Sequence, residues 1–281
     1  MAGKLSVGNV EIVALIDGEG PFPFKLSQVF PTVQAAQWEP FRRRYPGLFV
    51  DADTWHNHYG CYLVRSRGRS ILVDTGIGPG PVEILGGLRG KLLTELKSVG
   101  ASPEDVDTVF LTHLHIDHVG WNLSAGGKPT FPRARYVFHQ ADWDAFQRAE
   151  VQANFPPYVD QAITPLKTLG VLDLVSGEKS LTDEVVAIPT PGHTPGHMSL
   201  LVSSAGQRAL ILGDVAIHPA QITEEGWNAA FDMDADTALA TRKQILGRLE
   251  AEGLTVAACH FPEPGFGRIV RLEGRRYWQG I

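Results

Sequence analysis

Cysteine, long apolar runs and an excess of positive charge are all scarce in this chain. Only two cysteines, Cys61 and Cys259, occur among the 281 residues. Each lies in an apolar, strand-like run, so we expect core packing in a reducing compartment rather than a disulfide framework. No stretch approaches the roughly 18 apolar residues of a membrane span, and the N-terminus alternates instead of forming a signal peptide's apolar segment. These absences predict a cytoplasmic protein that is neither exported nor embedded in a membrane.

The charge balance excludes two classes of partner. A formal net charge of -6 leaves no broad positive field to attract nucleic acid or an anionic membrane surface. With 43% hydrophobic and 20% charged residues, the composition is typical of a globular protein with a large core. We therefore expect one domain over residues 1–281 that acts on a small molecule.

Hydrophobic spacing predicts several elements around one irregular segment. Val10 to Ile16 reads as a first strand that ends at the turn Asp17 to Gly20. Helical spacing covers Leu88 to Val99, Gln140 to Val151 and Asp234 to Glu252, and His139 is expected to start the second of these helices rather than to bind metal.

A long segment after the first strand has no clean period. It is rich in proline and aromatic residues, and a loop of this length in a compact domain is usually functional or disordered. Its aromatic content argues for docking against the body of the protein. We interpret residues 21–59 as a substrate-capping insertion.

The most distinctive stretch is Thr112 to Gly120. Directly after the apolar run Val109 to Leu111, it places three histidines and an aspartate within six residues, from His113 to His118. Imidazole and carboxylate ligands suit zinc and other first-row divalent metals, whereas calcium and magnesium prefer sites made only of oxygen. The alternative, surface or helix-capping histidines, fits such a dense cluster poorly.

Other candidate ligands also follow apolar strands. His193 comes after Val186 to Ile188, Asp214 after Leu210 to Leu212, and His260 after Val256 to Cys259. Rigid strands can bring such loop residues together at one edge of a sheet structure.

The pattern His-x-His-x-Asp-His after an apolar strand resembles the signature of the metallo-β-lactamase fold superfamily. Supporting motifs occur in the expected order between Asn57 and Arg271, among them Val73 to Gly76, Thr190 to His197 and Gly213-Asp214. The resemblance implies an α/β fold, a four-layer αββα sandwich of two mixed sheets.

The resemblance also implies a ligand set for two divalent metal ions. His113, His115 and His193 would hold one ion, Asp117, His118 and His260 the other, and Asp214 would bridge them. Asp74 would brace the metal loop without binding metal, and His197 would support the ligands instead of being one. Zinc is the first expectation, while manganese, iron and cobalt stay open.

Such a centre has a definite chemistry. Two divalent ions bring four positive charges, of which Asp117, Asp214 and a bridging hydroxide remove three. The remaining positive charge can lower the pKa of bound water and polarise a carbonyl or phosphoryl oxygen. Hydrolysis by attack of the bridging hydroxide follows, with Asp117 as a candidate to pass a proton to the leaving group.

The substrate is less well defined than the centre. The segment His260 to Arg268 resembles the ending of quorum-quenching acyl-homoserine lactonases and organophosphate hydrolases, so a lactone or related carboxylic ester comes first and a phosphotriesterase or arylesterase second. Asp214 disfavours β-lactamases without a bridging carboxylate, and the few residues after His260 disfavour a glyoxalase-II-like thioesterase. Ile217 stands where several lactonases carry a tyrosine. An iron oxygenase, a non-catalytic binding module and a homodimer stay open.

Residues that flank the ligand loops or belong to the cap are candidates for the pocket wall. For each of them an ordinary packing role is a standing alternative. Together they predict an apolar mouth for an acyl or aryl group. The candidates are Trp55, His56, His58, Tyr59, Trp121, Ile217, His218, Trp227, Phe261 and Phe266.

Overall fold

The structure is a computed structural model that describes residues 3–153 and 157–281, and over these residues the strands form two sheets of seven. The first sheet consists of β1 (Lys4–Val7), β2 (Val10–Pro21), β3 (His56–Ser66), β4 (Arg69–Val73), β5 (Thr108–Phe110), β6 (Arg135–His139) and β7 (Leu172–Val175). The second consists of β8 (Lys179–Thr182), β9 (Val185–Pro189), β10 (Met198–Ser204), β11 (Gln207–Ile211), β12 (Thr255–Ala257), β13 (Phe266–Leu272) and β14 (Arg275–Gly280).

Helices connect and cover these strands. They are α1 (Leu26–Val29), α2 (Glu39–Arg44), α3 (Leu92–Ser98), α4 (Ile116–Val119), α5 (Gln140–Phe146), α6 (Ala149–Gln152), α7 (Thr164–Thr168), α8 (Ala220–Thr223) and α9 (Ala235–Glu252). Short 3-10 turns and one π-helical turn, Val159–Ile163, complete the described regular structure. Among the described residues, no helix combines the length and apolar character that crossing a bilayer requires.

Both sheets are mixed. In the first, β1 to β4 are antiparallel neighbours and β4 to β7 run parallel. In the second, β11 and β12 form the parallel pair, and the long helix α9 connects them. Parallel neighbours need such crossover connections, which place helices on the outer faces of the sheets.

Three buried clusters show the layer order. Ile12 and Val64 of the first sheet share a core with Leu200 and Ile211 of the second, so the two sheets pack face to face. On the outer side of the first sheet, Leu63, the neighbour of Val64, packs with the helices of that face. This alternation follows from the two-residue period of strands.

The outer face of the second sheet has its own helical layer. Leu210 and Val256 of that sheet pack there with Ile245 and Leu249 of α9. Together with the face-to-face sheets, this arrangement confirms the four-layer αββα sandwich.

The predicted turn after the first strand is wrong. Strand β2 continues to Pro21, with a shift of register between Ile16 and Gly18. At that irregularity the fully buried Asp17 carboxylate accepts hydrogen bonds from the Leu92 amide at 2.7 Å and the Trp121 indole at 3.0 Å. Asp17 therefore anchors two distant segments on the sheet instead of forming a surface turn.

The predicted helices differ from the structure mainly at their ends. Helix α9 is confirmed, with the Asp234 side chain accepting from the amide of Thr237 at its start. Helix α3 begins only at Leu92, because Leu88 pairs with Val82 in an isolated bridge. The single helix predicted over Gln140 to Val151 is two helices, since the extended backbone of Arg148 separates α5 from α6.

The proposed cap contains regular structure where a loop was predicted. Helices α1 and α2 lie within it, and its aromatic side chains are buried against the second sheet's outer layer. Trp38 packs against Trp227 with 4.8 Å between ring centroids. The segment leaves β2 at Pro21 and returns at His56, and these two residues are paired neighbours in the sheet.

Candidate metal centre

Loops at the ends of four strands meet at one site. Strand β5 leads to His113 and His115 and to the short helix α4, which carries Asp117 and His118. Strands β9, β11 and β12 lead to His193, Asp214 and His260. The strand-to-ligand regularity of the sequence thus corresponds to one shared edge of the sandwich.

One group of ring nitrogens comes from three buried histidines. Nε2 of His113 lies 3.1 Å from Nδ1 of His115, which lies 2.9 Å from Nε2 of His193. All three rings are buried, and the three nitrogens point at a common centre. In their neutral forms, three imidazoles in this arrangement would offer lone pairs to a single cation.

A second group forms on the other side of Asp214. Nε2 of His260 lies 3.6 Å from Oδ2 of Asp117 and 3.4 Å from Oδ2 of Asp214. Nε2 of His118 lies 3.6 Å from Oδ1 of Asp214 and 3.7 Å from Oδ2 of Asp117. This His118 atom is buried and has no hydrogen-bond partner among the described residues. An orphaned imidazole nitrogen aimed at two carboxylates fits a second cation.

Asp214 connects the two groups. Its Oδ2 atom lies 3.2 Å from Nε2 of His193 in the first group and 3.4 Å from Nε2 of His260 in the second. The Cys259 thiol donates to its Oδ1 atom at 3.3 Å, and burial raises the pKa of that thiol to about 12. Cys259 is therefore a protonated neighbour of the site.

Hydrogen bonds from the outer nitrogens orient the histidines. Nδ1 of His118 donates to Asp74 at 2.9 Å, and Nδ1 of His260 donates to the carbonyl of His58 at 2.7 Å. Asp74 also accepts from the backbone amide of Thr112 at 2.7 Å. With Nδ1 donating, Nε2 is the nitrogen of each ring that faces the centre, and it could bind a cation once it carries no proton.

Two further supports hold the other group. Nδ1 of His193 donates to Asp232 at 2.9 Å, and Asp232 in turn accepts from Arg242 at 3.2 Å. His197 points its Nε2 at the backbone amide of Asp214 and accepts from it at 2.8 Å. His197 thus holds the backbone of the Asp214 loop by a hydrogen bond. Asp232 has no motif in the sequence to signal it.

The charge of the site differs from one histidine to the next. Burial opposes the shift, but Asp214 and Asp232 raise the pKa of His193 to about 9, and Asp214 and Asp74 raise the pKa of His118 well above its ordinary value. Metal binding requires such rings to release a proton. Burial and neighbouring imidazoles lower the pKa of His113 and His115 well below the ordinary value, so both rings are neutral. Burial would raise the pKa of Asp214, but His260 and His118 hold it well below its usual range. The carboxylate of Asp214 is therefore ionised, which is the form that binds a cation.

An apolar cavity of about 380 Å³ opens onto this centre. Aromatic side chains dominate one side of it, and the two metal-facing groups form its floor. Its lining comprises Phe22, Phe24, Trp55, Asn57, Ile84, Leu85, Ile116, Ile217 and Phe231 together with His115, Asp117, His193, Asp214 and His260. Of the predicted wall residues, Trp55 and Ile217 take this position.

Several predicted wall residues lie behind or away from the cavity. His218 packs behind Trp55, with 5.6 Å between their ring centroids, and Tyr59 contacts the edge of the His260 ring at 5.9 Å. Trp121 is engaged with Asp17 through its indole nitrogen, and Phe261 packs against Trp278 at 5.4 Å.

Two more of the predicted wall residues are core residues. Trp227 belongs to the cap core, where Phe41 contacts it at 5.4 Å, and Phe266 stacks near Tyr62 at 5.7 Å. These rings were predicted to line the cavity because they lie near ligands in the sequence. In the structure they pack in the core instead. His139, as expected, starts α5, where its Nδ1 accepts from the amide of Ala141.

His56 and His58 line a different cavity, on the far side of the strand that carries Asn57. Burial and the adjacent His56 ring lower the pKa of His58 to about 4. The sequence reasoning did not single out Phe22, Phe24, Asn57 and Phe231 as wall residues, because no spacing connects them to the ligands.

The family model described as "Metallo-beta-lactamase superfamily" matches residues 60–260 of the chain. An N-acyl homoserine lactonase from Bacillus sp is 29% identical over 182 residues, which are 59% of this chain and 65% of the relative. A second, from Bacillus cereus, is 27% identical over 71% of this chain and 78% of the relative. The chain thus spans about two thirds of the length of the first of these relatives.

Solved structures with the same fold align along the whole chain. The hydrolase AbOPH of the beta lactamase superfamily has a TM-score of 0.85 at 26% identity and covers 100% of this chain and 97% of its own. The dizinc quorum-quenching lactonase AidC, solved with the product N-hexnoyl-L-homoserine, has a TM-score of 0.83 at 24% identity and covers 100% and 97%. At 24% identity, the similarity to AidC shows a shared fold and no more.

Proposed function

Because the chain belongs to the metallo-beta-lactamase superfamily, we propose that it is a metal-dependent hydrolase that opens a lactone or a related carboxylic ester. One observation carries the proposal: Asp214 lies between two groups of buried ligand atoms that form the floor of an apolar cavity. Relatives named N-acyl homoserine lactonase support the choice of a lactone.

The residues fit two divalent cations, with zinc as the first candidate. One cation would be held by His113, His115 and His193. The other would be held by Asp117, His118 and His260, and Asp214 would contribute to both sites. When bound, such a pair supplies an activated water as nucleophile and an electrophile for the carbonyl oxygen. The protein's contribution is to hold the seven side chains in place through Asp74, Asp232 and His197.

Asp117 is the candidate for proton transfer. It lines the cavity, and its side chain is 17% exposed, against 5% for Asp214. A carboxylate at the boundary between centre and cavity can take a proton from water and hand it to the departing alkoxide. Asp214, enclosed by the histidines, is placed to bridge and not to exchange protons with substrate.

The cavity wall binds the rest of the substrate and excludes water from it. Phe22 and Trp55 stack in parallel, with 4.7 Å between centroids, and Phe24 and Phe231 complete an aromatic side. Such a surface buries an acyl chain through the hydrophobic effect. Ile217 adds apolar surface to this wall, at a position where several lactonases that the chain resembles carry a tyrosine.

The aromatic lining also favours a second candidate function, an arylesterase or phosphotriesterase. Aryl groups stack on rings in offset or edge-on geometry, and the wall offers both. An aryl phosphotriester is neutral, as a lactone is, and matches the same apolar wall.

A substrate panel with metal-replete and chelator-treated protein tests the proposal. It should compare kcat/KM for acyl-homoserine lactones of increasing chain length, a simple lactone, an aryl acetate and an aryl phosphotriester. We expect metal-dependent turnover with the highest kcat/KM on a lactone that carries an apolar chain. A higher value on the aryl substrates would favour the second candidate, and the absence of metal-dependent turnover on every substrate would refute both.

A further inference from the structure

A second group of potential ligands lies on the outer end of β2 and β3. Glu19 of β2 is the direct partner of His58 on β3, and His56 lies two residues before His58. Directly paired residues share a face of a sheet, as do residues two apart on one strand. The three side chains, which we term the rim cluster, therefore project to the same side.

The atoms of the rim cluster are spaced as ligands of one ion. Oε2 of Glu19 lies 3.4 Å from Nε2 of His56 and 3.6 Å from Nδ1 of His58. Each of the three residues offers one ligand atom that lies within 4.8 Å of those of the other two. Tetrahedral zinc with bonds of about 2.0–2.1 Å places its ligand atoms about 3.3 Å apart. The cluster needs only small adjustments to close on an ion.

One atom of the cluster lacks an alternative role. Nδ1 of His58 is buried and has no hydrogen-bond partner among the described residues, although the residue is only 7% exposed. Buried polar atoms are nearly always satisfied, so an unsatisfied one requires an explanation. An ion between His58 and Glu19 would satisfy it.

The cluster is accessible from solvent and separate from the centre already described. The side chains of Glu19 and His56 are 44% and 30% exposed and line a cavity of about 830 Å³. Arg44, the cation in this lining, does not compete with an ion, because its guanidinium stacks on the Tyr277 ring at 4.2 Å. Glu263 lines the same cavity and adds a carboxylate.

We propose that the rim cluster binds a further divalent ion of the zinc class, which clamps the two ends of the cap together. Glu19 lies just before the chain enters the cap at Pro21, and His56 lies where it returns to β3. An ion held by both sides cross-links the base of the cap whose Phe22 and Trp55 line the substrate cavity. This inference does not depend on the proposed hydrolysis.

Metal stoichiometry tests the site directly. Equilibrium dialysis against zinc, followed by elemental analysis, compares the wild type with Glu19→Gln, His56→Asn and the double variant. Glu11→Gln is the matched control, since Glu11 is a partly exposed carboxylate of the same strand that pairs with Lys4 and Arg65. The substituted side chains are partly exposed, so folding should be retained, and circular dichroism checks it.

We expect the double variant to bind one ion fewer per chain than the wild type, and Glu11→Gln to bind the wild-type number. Equal stoichiometry in the wild type and the double variant would overturn the proposal. The experiment counts bound ions and does not measure catalysis. Its result therefore tests the rim cluster even if the protein turns over none of the proposed substrates.

Proteolysis reports whether the ion acts on the cap. Arg43 in the cap has a side chain that is 72% exposed, which makes it a site for trypsin. Zinc should slow cleavage there severalfold in the wild type and in Glu11→Gln, but not in Glu19→Gln. The same slowing in Glu19→Gln would show that the rim cluster does not clamp the cap.

Discussion

The metal centre and the cap are built by different rules. In the centre, polar side chains at strand ends are buried, and the outer nitrogens of His118, His193 and His260 donate to defined acceptors. In the cap, short helices bury aromatic rings that mainly contact one another, and the Tyr45 hydroxyl donates to the carbonyl of Trp278. The chemistry of metal binding dictates residue types and spacing in the first region, whereas only shape and apolarity matter in the second. We therefore expect substitutions in the two regions to affect different measured quantities.

The largest effect should come from Asp214→Ala. Loss of the carboxylate between the two ligand groups removes a ligand from both. Residues that only hydrogen-bond to a ligand typically cost up to about 100-fold when they are replaced, so loss of a ligand itself should lower kcat/KM by more than about 100-fold. Metal content per chain should fall as well. The control Asp183→Ala changes an exposed aspartate in the turn between β8 and β9 and should leave both unchanged. Full activity of Asp214→Ala would remove the centre from the proposed mechanism.

Asp232→Asn should have the next largest effect. Asp232 acts through His193, because its carboxylate accepts a hydrogen bond from Nδ1 of that ring at 2.9 Å. Loss of the carboxylate charge should therefore weaken metal binding by about 10–100-fold. Competition with a chelator measures the affinity, and Asp236→Asn, on the exposed start of α9, is the matched control. An unchanged metal affinity would show that Asp232 serves only the packing of Arg242.

Phe24→Ala should separate the cap from the centre. Removal of a partly buried ring from the cavity wall should raise KM about 10-fold, the equivalent of about 1.4 kcal/mol of lost apolar contact, with little change in kcat. Metal content should stay at the wild-type value. Val50→Ala, at a cap residue that is 52% exposed, serves as control. A loss of metal in Phe24→Ala would break the distinction between the two regions.

The last effect should be a pH dependence at His218, which lies outside the cap and packs against its Trp38 and Trp55 rings. Burial lowers the pKa of His218 from 6.5 to about 3, so the unfolded chain takes up a proton below pH 6.5 that the folded chain refuses. The stability contributed by the neutral ring is therefore fully present above pH 6.5 and is lost as pH falls toward 3, by at most about 1.4 kcal/mol per pH unit.

His218→Asn should flatten that dependence, because an amide at this position does not titrate. Its oxygen can still accept from the amide of Ala220, as Nδ1 of His218 does at 3.1 Å. Urea unfolding of both proteins at pH 7 and pH 5 measures the free energy of unfolding, and chelated samples exclude a contribution from bound metal. Parallel pH profiles would show that His218 does not titrate on unfolding.

The sequence predicts the centre better than its surroundings. His113, His193, Asp214 and His260 come together because each follows a strand in a short loop, and the ends of these strands meet at one edge of the two sheets. Asp232 could not be found in this way, since it reaches His193 from an irregular segment before α9 with no spacing that connects the two. Asp17 was misread for a related reason: Asp and Gly are typical of turns, but here they mark an irregularity within a strand.

The cavity wall is the part that the sequence predicts least. Phe261 directly follows His260 and Trp121 lies three residues after His118, yet both rings make contacts away from the cavity. Phe231 lines the cavity although it lies far along the chain from every ligand except Asp214. Apolar rings fit many places in a core, so their positions depend on the complete packing and not on a local pattern.

The pairing of Pro21 with His56 makes the cap an exchangeable module. Because the segment departs and returns at one point of the sheet, its length and sequence can change while strand register elsewhere is kept, and loop closure costs rise only slowly with length. A lineage with this architecture can therefore alter what enters the cavity in a single replacement while the catalytic apparatus is inherited intact. Grafting caps between such proteins offers the same route to an experimenter.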